Sequence, residues 1–317
     1  MKPEILFASP THPHLVDALQ ANYTVHVLPV DGPERAQVLD RVAANVRLLV
    51  TTTLVGADAR LIGVLPRLEC IVNAGGHVDK IDHAAAARRH IAVTNTPGVY
   101  VWDVADTAMG LIFAVQRRLL ACDALVRSAD WKPLGFPRTR RVSGRRAGIV
   151  GLGLIGREFA RRAEGFRMEV GYFGRGKKAD VPYPYFADLK ELAAWCDCLV
   201  LTCSSGPETR HLVNADVLKA LGPEGIVVNV ARGTVIDEAA MVDALDRGLI
   251  GGAGLDVFEH EPDVPAKLLA SDKVVLMPHV ASNTDGTRNA QAVMAIANIE
   301  AHFAGKPLPN RVTGAGH

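Results

Sequence analysis

Short apolar runs rich in β-branched residues alternate with helix-forming stretches along almost the whole chain. This alternation constrains the fold more than any other feature. The early runs are Glu4–Ala8, Val25–Leu28, Arg47–Thr51, Glu69–Val72 and Ile91–Thr94. Between them, stretches such as Ala57–Leu65 and Asp79–Arg89 place apolar residues three to four apart. Parallel strands need a crossover of roughly a dozen residues, and this spacing provides one each time. Five such strands make one α/β unit. A longer helical stretch, Val101–Arg127, and a Pro-, Gly- and Arg-rich loop, Trp131–Gly144, lead to a second series. Its strands are Arg146–Val150, Glu169–Phe173, Cys198–Thr202, Ile226–Val230, Gly252–Val257 and Lys273–Met277. Six parallel strands with intervening helices suffice for a complete dinucleotide-binding sheet. A last helix, Thr287–Ala304, is expected to return to the first unit and make it discontinuous.

Composition narrows the class of protein. At 317 residues the chain is long enough for two domains, and with 49% hydrophobic and 22% charged residues it reads as globular. Thirty-five Lys and Arg against 34 Asp and Glu leave a formal charge of +1, so no bulk field draws in nucleic acid or anionic lipid. No apolar run reaches the roughly 18 residues of a membrane span. The opening MKPEILFASPTHP has an apolar stretch of only Ile5–Ala8 beside Glu4, so it does not read as a secretory signal. Five cysteines without framework spacing suit a reducing compartment, and the expected location is cytoplasmic.

The most informative local segment is Gly148-Ile149-Val150-Gly151-Leu152-Gly153-Leu154-Ile155-Gly156. A strand ends at Val150, and Gly151, Gly153 and Gly156 follow at GxGxxG spacing. The first glycine permits the tight turn and the second lets backbone approach a pyrophosphate. The third lets the next helix pack on the strand, with its first N–H groups toward the anion. GxGxxG alone is weak, but here it lies between a strand and a helix with Ile155, Phe159, Ala163 and Phe166 on one face. An NAD site usually has an acid about 20 residues on. Here the second strand runs into Gly174-Arg175-Gly176-Lys177-Lys178 without one. Arg175 and Lys177 suit a 2′-phosphate that an acid would repel, which favours NADPH. The plain alternative is a solvated basic turn.

Ligands of doubly wound sheets bind beyond the carboxyl ends of the strands. Arg232 follows Ile226–Val230, Glu261 follows Gly252–Val257, and His279 follows Lys273–Met277. An arginine fork, a carboxylate and a histidine suffice to reduce a 2-oxo acid. The arginine holds the carboxylate and polarises the ketone, histidine donates a proton as the nicotinamide delivers hydride, and the glutamate keeps the histidine charged. Each has a plainer reading: Arg232 as a strand-end cap, Glu261 as a loop acid, His279 as a buried histidine satisfied by backbone. Their joint placement at three consecutive strand ends favours the functional reading.

These motifs together resemble the D-isomer-specific 2-hydroxyacid dehydrogenase family from near Glu69 onward. The stretches Val93–Val99, Asp103–Asp106, Gly148–Gly156, Pro207–Arg210, Val230–Gly233, Gly254–Pro262 and Pro278-His279 occur in family order. The turn Tyr172–Lys178 and the tail His302–Leu308 look most like the hydroxypyruvate, glyoxylate and hydroxyphenylpyruvate reductase branch. The resemblance implies an α/β chain of two doubly wound parallel-sheet domains. A flavodoxin-like substrate domain would comprise residues 1–98 plus 288–317, and a Rossmann dinucleotide-binding domain residues 99–287. It implies that Arg232, Glu261 and His279 are the catalytic trio, that NADPH is preferred, and that the protein is a homodimer. The expected cofactor contacts are Gly151, Gly153, Leu154, Ile155, Gly156, Gly174, Arg175, Lys177, Thr107, Val230, Ala231 and Asp256. Substrate contacts are expected from Ala74, Gly75, Gly76 and Arg232, with no metal. Two alternatives are a dinucleotide-sensing co-repressor on the same fold and a phosphoglycerate dehydrogenase. The complete trio weighs against the first. The basic turn at Arg175, and no appended regulatory domain after Ala304, weigh against the second.

The sequence departs from the family at His77, where the loop pattern Gly-x-Gly-x-Asp has its second glycine, and at Ala281-Ser282-Asn283, where the family favours Gly-Ser-Ala. Cys196-Asp197-Cys198 lacks the second ligand pair of a zinc site and reads as a helix end entering a buried strand. His12 and His14 read as loop histidines, and Trp102 and Trp131 as packing, interface or substrate residues.

Overall fold

The structure, a computed structural model, describes residues 2–10, 13–132, 135–136 and 138–312. His12, three positions of the Trp131–Gly144 loop and the side chain of His14 lie outside what is described. The chain divides into two compact units, Met1–Tyr100 with Thr284–His317, and Val101–Asn283.

The first unit has strands β1 (Glu4–Phe7), β2 (Thr24–Val27), β3 (Val46–Thr51), β4 (Cys70–Asn73) and β5 (Ala92–Thr94). They pair in the order β2-β1-β3-β4-β5, all parallel, which is the flavodoxin-like order. Helices α1 (Pro13–Gln20), α2 (Pro33–Val42), α3 (Ala59–Gly63) and α4 (His83–Arg88) make the crossovers. Aspartates start two of them: Asp58 accepts from Leu61 N at 2.7 Å and Asp82 from Ala85 N at 2.8 Å. Successive strand residues point to opposite faces. Leu6, Leu49 and Ile71 therefore pack with Ile62 and Leu65, while Ile5, Phe7, Leu48 and Val72 pack with Leu15 and Leu19. The final helix, Asp285–Phe303, is capped by Thr284 and adds Ala295 and Ile299 to the second of these cores.

The second unit has α5 (Val101–Gln116) and α6 (Leu119–Arg127), then β6 (Arg146–Val150), α7 (Leu154–Gly165), β7 (Glu169–Phe173) and β8 (Tyr185–Phe186). Next come α8 (Leu189–Trp195), β9 (Cys198–Leu201), α9 (Ala215–Leu221), β10 (Ile226–Asn229), α10 (Glu238–Asp246), β11 (Gly252–Leu255), α11 (Ala266–Leu269) and β12 (Val274–Leu276). The order is β12-β11-β10-β9-β6-β7-β8, all parallel. Strand order thus reverses at β6, and the turn that leaves β6 stands at the switch point where such sheets bind ligands. β9 and β10 are buried along their whole length, as a sheet covered on both faces requires.

Two expectations are corrected. The sheet has seven strands, not six, because the two-residue β8, which directly follows Pro182-Tyr183-Pro184, pairs with β7. The stretch Val101–Arg127 is two helices, because Arg118 adopts a left-handed conformation (φ 49°) between them. Trp102 and Trp131 are 69% and 65% exposed, so neither belongs to the core. No helix among the described residues is long and apolar enough to cross a membrane.

Candidate active site

The glycine turn leaves β6 with Gly151 at φ 93°. A Cβ there would lie 2.6 Å from Cys203 Cα, so both conformation and space demand glycine. At Gly156 a Cβ would collide with the Gly151 carbonyl, which Thr202 Oγ1 already engages at 2.7 Å. At Gly153, which precedes α7, a Cβ would meet nothing within 4 Å. The protein's own packing therefore does not require glycine at Gly153, whereas close approach of a ligand does. Leu154 is exposed, Ile155 half-buried, and the amphipathic α7 is anchored by fully buried Phe159 and Ala163. These residues fit a dinucleotide pyrophosphate at the start of α7. Gly153→Ala is expected to keep the wild-type Tm and raise the KM for cofactor, while Gly156→Ala lowers Tm. Thermal melts beside cofactor titrations check both; a fall in Tm for Gly153→Ala would contradict the open cradle.

The loop after β7 carries Arg175 and Lys177 exposed to solvent, with Gly174 half-buried. Thr107 on α5 donates its hydroxyl to the Ala281 carbonyl at 3.3 Å. Val230 and Ala231 are each 6% exposed, at the end of β10.

The three candidate catalytic residues leave the adjacent strands β10, β11 and β12. Asn229, the last residue of β10, donates through Nδ2 to the Arg232 carbonyl at 2.9 Å and accepts from Ala231 N at 3.0 Å. That tie fixes the turn carrying half-buried Arg232, whose Nη1 donates to the Ala231 carbonyl at 2.7 Å. Gly233 follows against the Phe258 carbonyl so closely that no side chain fits. The Arg232 turn therefore packs on the loop that carries Glu261.

Within that loop Glu261 Oε1 accepts from Phe258 N at 3.1 Å, and Oε2 pairs with His279 Nδ1 at 2.8 Å. The two side chains are 27% and 24% exposed, so the pair is open to a small reactant yet partly shielded from water. His279 sits at φ 55°, an uncommon conformation for a non-glycine residue. Asp256 over-determines it: the Asp256 carbonyl accepts from His279 N at 2.8 Å, and the carboxylate oxygens accept from Val280 N and Ala281 N at 2.9 and 3.0 Å. Burial raises the Asp256 carboxyl above its ordinary range, with the two backbone N–H bonds opposing. Asp256, expected at the cofactor, is thus 1% exposed and supports the histidine turn.

Neighbouring Glu259 accepts from Arg210 Nη2 at 2.9 Å and His211 Nε2 at 2.8 Å. Burial works against its charge, but the His211 bond and the nearby His211, Arg210 and His260 charges hold its carboxyl below the ordinary range. Asn229 escaped the sequence reading; an Asn closing an apolar strand was the available signal.

In the first unit the loop after β4 is held by its carbonyls. Gly75 O accepts from Thr96 N at 3.0 Å and Asn73 Nδ2 at 3.0 Å, and Gly76 O from Asn95 Nδ2 at 2.8 Å. His77 O accepts from Asn73 Nδ2 at 2.7 Å and Thr53 Oγ1 at 3.1 Å. Ala74, Gly75 and Gly76 are buried, and the His77 ring lies 5.7 Å from that of Tyr100. Burial pushes the thiols of Cys196 and Cys198 up to about 12, and Asp197 between them is engaged by Arg145 and Arg146.

Residues 109–281 match the family model described as D-isomer specific 2-hydroxyacid dehydrogenase, NAD binding domain. Hydroxyphenylpyruvate reductase of Plectranthus scutellarioides is 46% identical over 276 residues, covering 87% of this chain and 88% of that protein. Glyoxylate/hydroxypyruvate reductase A of Arabidopsis thaliana is 45% identical over 277 residues, covering 87% and 88%. The crystal structure of an NADPH-dependent glyoxylate/hydroxypyruvate reductase from Sinorhizobium meliloti, in complex with NADP and malonate, superposes with a TM-score of 0.88 at 35% identity, covering 99% and 97%.

Proposed function

The chain belongs to the D-isomer specific 2-hydroxyacid dehydrogenase family, and from that premise we propose that it reduces small 2-oxo acids of the hydroxypyruvate and glyoxylate type to D-2-hydroxy acids with NADPH. The observation that carries the reading is the Glu261–His279 bond, one strand over from Arg232. Glu261 takes Nδ1, which leaves Nε2 as the atom that gives the proton to the ketone oxygen. The carboxylate holds Nδ1 and so fixes the orientation of the ring. Arg232 presents a planar fork to the substrate carboxylate and lends positive charge to the adjacent carbonyl. The loop of Ala74, Gly75 and Gly76, its carbonyls already engaged, supplies further substrate contacts.

The turn Gly151–Gly156 holds the cofactor pyrophosphate, and Arg175 with Lys177 receives the 2′-phosphate. When bound, the dinucleotide supplies the hydride. Leu154, Ile155, Gly174, Thr107, Val230 and Ala231 complete its surroundings. The same reading takes the protein as cytoplasmic and homodimeric. The second part is supported by α6, which buries none of its residues and exposes Leu119, Leu120 and Val126.

The test is the product. Hydroxypyruvate and NADPH should be converted stoichiometrically to D-glycerate, read by chiral chromatography. The L-enantiomer as main product would contradict the proposal, as would glycerate formation that consumes no NADPH.

A further inference from the structure

The loop after β7 is tied at three points by groups without a part in the chemistry above. Tyr172 on β7, 1% exposed, accepts the backbone N–H of Lys178 on its hydroxyl at 2.6 Å. Tyr185 on β8, its register partner, donates its hydroxyl to the Gly174 carbonyl at 3.3 Å. Asp180 is gripped by Arg157 of α7, with Nη2 at 2.9 and 3.1 Å from its two oxygens. Between the ties runs Gly174-Arg175-Gly176-Lys177, and a Cβ on either glycine would meet nothing within 4 Å. Two glycines and two long cationic side chains on an open turn have many conformations to lose when an anion binds. Ties that fix the ends of the turn beforehand reduce that loss.

We propose that Tyr172 and the Arg157–Asp180 pair are positioning residues that hold Arg175 and Lys177 ready for the 2′-phosphate, and so set the preference for NADPH over NADH. The inference rests on the reading that Arg175 and Lys177 receive that phosphate. NADH lacks the phosphate and gains nothing from the ordered turn, so the ties act on one cofactor and leave the other alone. Asp180 is the first acid after the turn, and Arg157 keeps its charge matched. Its attachment matters more than its repulsion of a phosphate.

The experiment compares KM for NADPH and NADH in wild type, Tyr172→Phe and Asp180→Ala, with kcat and Tm read alongside. Tyr172→Phe keeps the ring, which lies 5.4 Å from that of Tyr185, and removes only the hydroxyl. It should raise the NADPH KM by about 3- to 10-fold and leave the NADH KM and kcat unchanged. Asp180→Ala, on the exposed side of the loop, should act in the same direction. A wild type with no preference for NADPH would overturn the cofactor reading itself. A wild type that prefers NADPH, with the ratio unchanged in both variants, would overturn only the positioning role. A lower NADPH KM in Asp180→Ala would overturn it too, since the acid would then be a repulsive neighbour.

Discussion

Replacing His279 with alanine is expected to lower kcat for 2-oxo acid reduction by about 10²- to 10⁴-fold, the usual contribution of a positioned general acid. Binding of NADPH should be unaffected, because the glycine turn and the basic loop are separate segments of the chain. Glu261→Gln tests the same pair in another way. The amide keeps the shape at 2.8 Å from Nδ1 but removes the negative charge that the ring faces. The kcat for hydroxypyruvate should therefore fall in the variant while NADPH binding is kept. Rates with saturating NADPH and hydroxypyruvate decide the matter. A Glu261→Gln enzyme with wild-type kcat would break the assigned pairing, and a His279→Ala enzyme with near wild-type kcat would remove the proton donor.

The second large effect belongs to Arg232. Arg232→Lys keeps the positive charge but loses the planar, bidentate fork, so kcat/KM for hydroxypyruvate should fall by about 10- to 100-fold. Activity on hydroxyacetaldehyde, which lacks the carboxylate, should scarcely change. A uniform loss on both compounds would identify Arg232 as a structural cap of the β10 turn, the role in which its bond to the Ala231 carbonyl already places part of the guanidinium.

Much of the architecture was legible because it is written in local patterns. β4, β9 and β10 carry apolar runs that are buried along their whole length, and crossovers of the expected kind separate the strands. The glycine turn was legible because Gly151 needs a positive φ and Gly156 a missing Cβ, demands that leave a mark in sequence. β8 left none, since two residues just after a Pro-Tyr-Pro segment become a strand only by pairing with β7. The break at Arg118 carries no Gly or Pro to announce it. For the candidate site, strand ends located Arg232, Glu261 and His279, but not the groups that orient them. Asn229 and Asp256 act through bonds to backbone as many as 25 positions away, and no spacing rule encodes those. The ties at Tyr172 and Asp180 are of the same kind.

A site built around a 2-oxo acid requires the carboxylate as its handle. The most direct measurement is kcat/KM of the wild-type enzyme for hydroxypyruvate and for hydroxyacetaldehyde, followed by NADPH absorbance. A guanidinium set for an anion is left unmatched by the neutral aldehyde, so hydroxypyruvate should be favoured by about 10³-fold or more. Comparable values for the two compounds would contradict the claim.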